Sequence, residues 1–366
     1  LNLNDFKLTL GSSTSDLTVI NAITIDASTE GISTGEADLI LMSALTMSEG
    51  LLQSSGGTWE FNGDFKKTGG TLSITETDLT LTNNITLTSD QALSFVTLNL
   101  NYNTLTLGSS TSDLTVINAI TIGQNTEGIS TGDADLILNQ YLIIFEEGSI
   151  TSTGGIISLQ EGGELSGTGT GNGILDVSGS IWTLGGDFKK SSGILTMLQT
   201  TLKLEDNCTL TSDEALSFVT LNLNDFTLTL GSTTSDLTVE QAITIDSSGE
   251  GISTGEADLI LMSALTLSEG LLQSSGGTWE FNGDFKKTGG TLSITETDLT
   301  LTNNITLESD VALSFVTLNL NNFTLTLGSS TSDLTVINAI TIDASTEGIS
   351  TGEADLILKS ALTMSN

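Results

Sequence analysis

The chain is 366 residues long and carries 45 Asp and Glu against nine Lys, with no Arg, His or Pro, for a formal charge of −36. That balance disfavours nucleic acid, whose phosphates need Lys and Arg to displace counterions, and equally disfavours anionic membrane surfaces. Without His or Arg there is no imidazole metal ligand, no Ser–His–Asp or Cys–His site, and no guanidinium clamp for carboxylate or phosphate.

The first 100 residues set a pattern that the rest repeats. The motif polar–x–Φ–T–Φ, with Φ apolar, marks "NAITI" (21–25), "SALTM" (43–47), "NNITL" (83–87) and "NAITI" again (118–122). "GDFKK" (63–67) takes the same place, and "FKLTL" (6–10) fits loosely. Cutting at these marks gives units 4–20, 21–42, 43–62, 63–82 and 83–100, of 17, 22, 20, 20 and 18 residues. Residues 1–97 then return as 221–317 with nine differences, so 88 of 97 positions are identical. A fixed period of this kind signals a solenoid or array before any residue-level reading.

Inside a unit, two or three short apolar–polar alternations are separated by turn-forming segments such as "DASTEG" and "TGEA". Alternation at period 2 with Leu, Ile, Val, Phe and Thr predicts strands. Strands this short cannot build a sandwich. Stacked coil on coil, each would pair with its equivalent about 4.8 Å away and line up inward columns. The absence of Pro suits a chain in which every strand donates to a ladder. The expectation is therefore an all-β, parallel β-solenoid of about 18 coils, right-handed by the rule for parallel crossovers. It runs as a single solenoid over 1–366, in superrepeats 4–100, 101–223, 224–320 and a partial 321–366. The second is 26 residues longer, and the extra coil is placed within 140–185.

Individual residues follow from this frame. Cys208 occupies the inward place of Ile85 and Ile305 and is expected to be core filler; Trp59, Trp182 and Trp279 fill the wide part of the core. Thr9, Thr24, Thr46, Thr86, Thr106 and Thr121 are expected to project from one sheet, a row that invites an ice-binding reading, although Lys66 and Ile143 break it. The Lys66–Lys67, Lys189–Lys190 and Lys286–Lys287 pairs are expected to neutralise the acidic surface. Asparagines 84, 207, 304 and 322 stand in Asn–x–Thr sequons.

Aspartates precede Leu at one recurring strand start: Asp16, Asp38, Asp78, Asp113, Asp135, Asp236, Asp258, Asp298, Asp333 and Asp355. A turn carboxylate accepting backbone N–H groups is the plain expectation. Asp16 with Asp38, and Asp113 with Asp135, are the candidate metal ligands, because stacked carboxylates repel unless hydrogen-bonded or bridged by a hard cation such as Ca²⁺. Neither the Ca²⁺-binding nonapeptide nor an EF-hand loop is present, and no other cofactor is expected.

With "GGTLSI…DLTLTNNITL" at this coil length, the chain resembles the repeat shafts of large secreted bacterial adhesins, the filamentous haemagglutinin-like and autotransporter passenger families. The resemblance spans essentially all 366 residues and rests on Gly, Thr, Leu and Asn at solenoid spacing. It implies an extracellular or cell-surface stalk, fibre or adhesin, with no site residues to carry over. The expectation is a structural, non-enzymatic filament protein that associates end to end or side by side. A receptor- or glycan-binding adhesin is the alternative, ahead of a polysaccharide-acting enzyme or an ice-binding solenoid. No run of about 18 apolar residues is present to span a membrane as a helix. Starting at Leu1 and stopping inside a repeat, the sequence reads as a window on a longer chain whose coils continue or stack on another molecule.

Overall fold

The computed structural model describes residues 1, 3–123, 127–168, 171–342 and 346–364, the side chains of 168 and 171 excepted. Its contacts divide into two units, Leu1–Thr183 with Lys190–Thr196, and Leu184–Lys189 with Met197–Asn366. Among the described residues the chain forms 53 strands and no helix. Two belong to a small antiparallel hairpin, Gly167–Thr168 with Gly171–Asn172. Every other ladder among the described residues is parallel, and with the hairpin set aside the strand orders advance in threes, so three strands make a turn. The fold is a parallel β-solenoid of about 17 turns.

Alternation explains the strands. In Ile23–Ile25 both isoleucines are buried and Thr24 is exposed. In Leu45–Met47 the same parity buries Leu45 and Met47. Directly paired residues then stack like on like: Ile23 on Leu45, Leu45 on Phe65, Ile85 on Leu105. Each fully buried side chain of this kind contributes roughly 1.5–3 kcal/mol.

Corners are where the chain needs special backbone. Gly50 has φ +71°, and a Cβ there would lie 2.5 Å from the Glu30 carbonyl oxygen. The "LN–D/Y/N" turns use two consecutive non-glycine residues at positive φ, as at Asn101 (48°) and Tyr102 (66°), closed by Asn103 N–H donating to Leu100 O at 2.9 Å. That is the pattern of a type I′ turn, for which Asn and Asp are the tolerated side chains. Interior polar corners are satisfied by serine and threonine. Ser54 Oγ donates to Gly56 O at 2.7 Å and accepts from Thr77 Oγ1 at 2.9 Å, and Ser274 with Thr297 repeats both distances.

The five sequence units of a superrepeat are not five turns. Residues 7–99 hold fourteen strands, because unit 4–20 contributes only two, Lys7–Thr9 and Leu17–Val19. At three strands per turn, a superrepeat winds four turns and two thirds. The consequence is visible within each unit taken alone. In the first, Gly31–Gly35 lies in the sheet of Lys7–Thr9, whereas its copy Gly128–Gly132 lies in the sheet of Ile23–Ile25. In the second, Gly251–Ser253 and its copy Gly348–Ser350 likewise fall in different sheets. Equivalent residues therefore shift by one face per superrepeat. The longer second superrepeat has nineteen strands, of which two are the hairpin. The remaining seventeen exceed fourteen by one full turn, so the insertion adds a whole coil and keeps the phase.

A second departure concerns "GDFKK". Sequence alignment sets Phe65 against Ile85, but Phe65 pairs with Leu87 and Lys66 with Thr88, a slip of two residues. Phe285 pairs with Leu307 and Phe188 with Leu210 in the same way.

Candidate functional site

The recurrent aspartates form ladders between coils. Asp16 Oδ1 accepts the Asp38 N–H at 3.1 Å, and Asp38 Oδ1 accepts the Thr58 N–H at 2.7 Å. Asp113 accepts from Asp135 at 2.9 Å, and Asp135 from Ile156 at 2.7 Å. Asp236 and Asp258 do the same toward Asp258 and Thr278, and Asp333 toward Asp355. The expected turn role holds with one change: the N–H belongs to the next coil. Such charge-assisted bonds are about twice as strong as neutral ones, and they turn a repulsive stack into a directional link. A second ladder joins Asp64 to Thr86, Asn84 to Thr104, Asn207 to Thr227 and Asn304 to Thr324, so three of the four sequon asparagines are engaged through Oδ1. At the corresponding strand start Asp298 makes no such link, and its Oδ1 is buried without a hydrogen-bond partner.

These ladders bear on the metal candidates. Asp16, Asp38, Asp113 and Asp135 are brought together in pairs, each with Oδ1 engaged by a backbone N–H. What is left per pair is well short of the roughly six to eight oxygens that Ca²⁺ takes. Among the described residues no three His, Cys, Asp or Glu are grouped to hold a metal ion.

The lysine pairs divide between inside and outside. Phe65 and Lys67 share an inward parity, and Lys67 is 2% exposed, its ammonium paired with Asp90. Lys287 is 3% exposed and pairs with Asp310 at 2.5 Å. Only the first lysine of each of these pairs faces outward. The two-residue slip sets Lys287 directly against Ser309, next to Asp310, so the slip and the ion pair go together. The neighbouring core holds an aromatic cluster drawn from three faces: Trp59 to Phe61 at 5.8 Å, Trp59 to Phe95 at 6.1 Å, Phe61 to Phe65 at 5.9 Å. Trp59, Trp182 and Trp279 are all buried, as expected. Cys208 is buried opposite Leu228, and burial first, then Asp187 and Asp206, pushes its thiol up to about 12.

The threonine row is not one row. Thr24, Thr46, Thr86 and Thr106 share a sheet, but Thr9 and Thr121 belong to two others. Within the shared sheet Lys66 and the slip separate Thr46 from Thr86. The one-face shift per superrepeat is the cause, and it removes the flat threonine array that ice binding would use.

A groove of about 220 Å³ in the first unit is lined by Asn99, Asn101, Tyr102, Gly123, Glu127 and Phe145, among others. Another of about 240 Å³ in the second unit includes Leu198, Val219 and Glu240. No family model, no curated protein and no solved structure matches this chain.

Proposed function

We propose that this chain is a structural repeat protein that forms a rod in an extracellular or cell-surface filament, stalk or lattice, without catalytic activity. The observation that carries the reading is how its polar chemistry is used. Corner carboxylates, amides, hydroxyls and even interior lysines are engaged in joining one coil to the next, the aspartate links recurring in all four superrepeats and the lysine links in the first and third. An enzyme concentrates perturbed groups in one place; here the linking groups are spread along the chain. Nearest-neighbour contacts let such a solenoid lengthen by whole repeats at little topological cost.

The charge of −36 keeps such rods apart at low ionic strength, where screening is weak. Side-by-side association then depends on salt or divalent cations, and end-to-end association on matching sheet edges. The test is electron microscopy and light scattering of the purified chain across NaCl and Ca²⁺ series. Elongated particles that associate as charge is screened are the expected result. Compact particles, or turnover of a polysaccharide substrate, would overturn the reading.

A further inference from the structure

The repeats supply their own control, since any residue that departs from them can be compared with what the fold otherwise places there. Three departures meet at one groove. Tyr102 stands where the other copies have Asp5, Asp225 and Asn322; Gly123 replaces Asp26 and Asp246; Phe145 replaces Ser48 and Ser268. They lie about one coil apart in sequence, yet all three line the same concavity of about 220 Å³.

Two of the changes depend on each other. A Cβ on Gly123 would lie 2.4 Å from Phe145 Cε1 and 2.5 Å from Cζ. The aspartate of the other copies would displace this ring from its place, and glycine leaves the room that Phe145 fills. Beneath them the repeat's own scaffold is retained. Glu127 accepts the Tyr102 N–H at 2.9 Å through Oε1 and the Gly123 N–H at 3.0 Å through Oε2, as Glu347 does for Asn322 and Glu30 for Asp26. Asn99 Oδ1 accepts the Asn101 N–H at 3.1 Å. The rim thus keeps the repeat's hydrogen bonds, while its aromatic side chain is placed differently: Tyr102, 54% exposed, stands one residue before the place of Phe6, Phe226 and Phe323, which this copy fills with Asn103.

We propose that this groove binds a neutral saccharide unit. Exposed Tyr102 beside half-buried Phe145 offers an apolar surface with one polar tip, the tyrosine hydroxyl, and a sugar ring carries apolar C–H faces edged by hydroxyls. Asn99 and Asn101 supply amide groups at the rim, and Glu127 supplies carboxylate lone pairs for hydroxyl donors. The carboxylate and the charge of the chain select against anionic sugars. A site with few convergent polar groups and an aromatic lining is the usual form of a small-ligand pocket, and its shallowness fits one sugar unit held weakly. This assignment does not depend on the filament reading: a rod can lack the site, and the site can sit on a rod.

The experiment is a screen of the whole chain against immobilised neutral and acidic glycans, followed by calorimetric titration of the neutral sugar giving the strongest signal. The comparison proteins are Tyr102→Asp and Phe145→Ser, which install residues the other copies already carry, so folding is retained and is checked by circular dichroism. Binding of a neutral sugar that falls at least tenfold in each variant is the expected result. No neutral glycan bound, or binding unchanged in both variants, would overturn the proposal. Loss of strand signal in both variants would overturn it too, because the aromatic residues would then be structural.

Discussion

Residues 1–97 and 221–317 are the same text with nine changes. Eight of the nine, at 7, 13, 20, 21, 27, 29, 88 and 91, are exposed or half-buried in the first copy, and their partners are so in the second. The ninth, Met47 against Leu267, is fully buried and nearly conserves volume, the kind of core swap that costs least. Inward positions are thus held by packing against the coils above and below, and outward ones drift. Two drifts leave a trace. Lys286 gains Glu308 at 3.2 Å where Lys66 faces Thr88. Gln91 Nε2 donates to Leu72 O at 3.2 Å, a bond that Val311 cannot make.

The strongest way to break the equivalence is at the aromatic cluster. Trp279 meets Phe281 at 5.8 Å and Phe315 at 6.1 Å, the same separations as in the first copy. Trp59→Ala and Trp279→Ala should each cost about 3–5 kcal/mol, measured by urea unfolding. A difference between them larger than about 1 kcal/mol would mean that the two copies are not packed alike.

Next comes the inward place of Ile85, Cys208 and Ile305. The thiol's ordinary value is 9.0 and burial pushes it up to about 12, so between those values the unfolded chain has lost a proton that the folded chain keeps. Stability must then fall as pH rises through that window, by at most about 4 kcal/mol. Cys208→Ile, which copies the neighbouring superrepeats, should remove that slope relative to the parent protein. Equal slopes would place the thiol outside the core, as would rapid labelling by a thiol reagent under native conditions.

How far the sequence foretold these features depended on whether they followed parity or register. Strand class, the parallel stack and the inward columns follow from alternation and period, which are local. The extra coil in 140–185 was legible because it preserved the spacing on either side. The one-face shift was not, because "FKLTL" and "NAITI" carry the same motif although only two strands separate their starts. The slip at "GDFKK" was hidden because Ile85 and Leu87 are both apolar and of the same parity. Buried Lys67 was signalled by that parity, two residues after Phe65, but a charged pair reads more readily as surface. The aspartates were found, while their partners in the next coil required the register. Tyr102 and Phe145 were visible as departures from the repeat, but only the stacked coils bring them together.

The corner ladders sharpen the comparison at intermediate size. Asp38 Oδ1 takes the Thr58 N–H at 2.7 Å and Asp258 Oδ1 the Thr278 N–H at 2.6 Å. Replacing either aspartate by Ala leaves a half-buried donor unmade, which costs about 1–3 kcal/mol. Asn in the same place keeps the acceptor, as Asn84 does for Thr104, and should recover most of the loss in urea unfolding. If Asn fails to rescue, the carboxylate has a further partner, and Ca²⁺ titration of the parent protein would identify a cation in that role.

The smallest effect separates the two copies most directly. Lys286 and Glu308 are 50% and 40% exposed, so their pair at 3.2 Å is solvent-screened and worth about 0.2–1 kcal/mol. Lys66 sits at the same place with Thr88 opposite. Thr88→Glu should therefore stabilise the first copy by the amount that Glu308→Thr removes from the second. Both shifts should shrink as ionic strength rises, since exposed charges are screened over about 10 Å at 0.1 M salt and about 3 Å at 1 M. Thermal unfolding of the two variants at low and high NaCl reads this out as equal and opposite displacements that converge. Displacements that persist at high salt would attribute the difference to side-chain packing against the neighbouring coil. The two copies would then differ in shape as well as in charge.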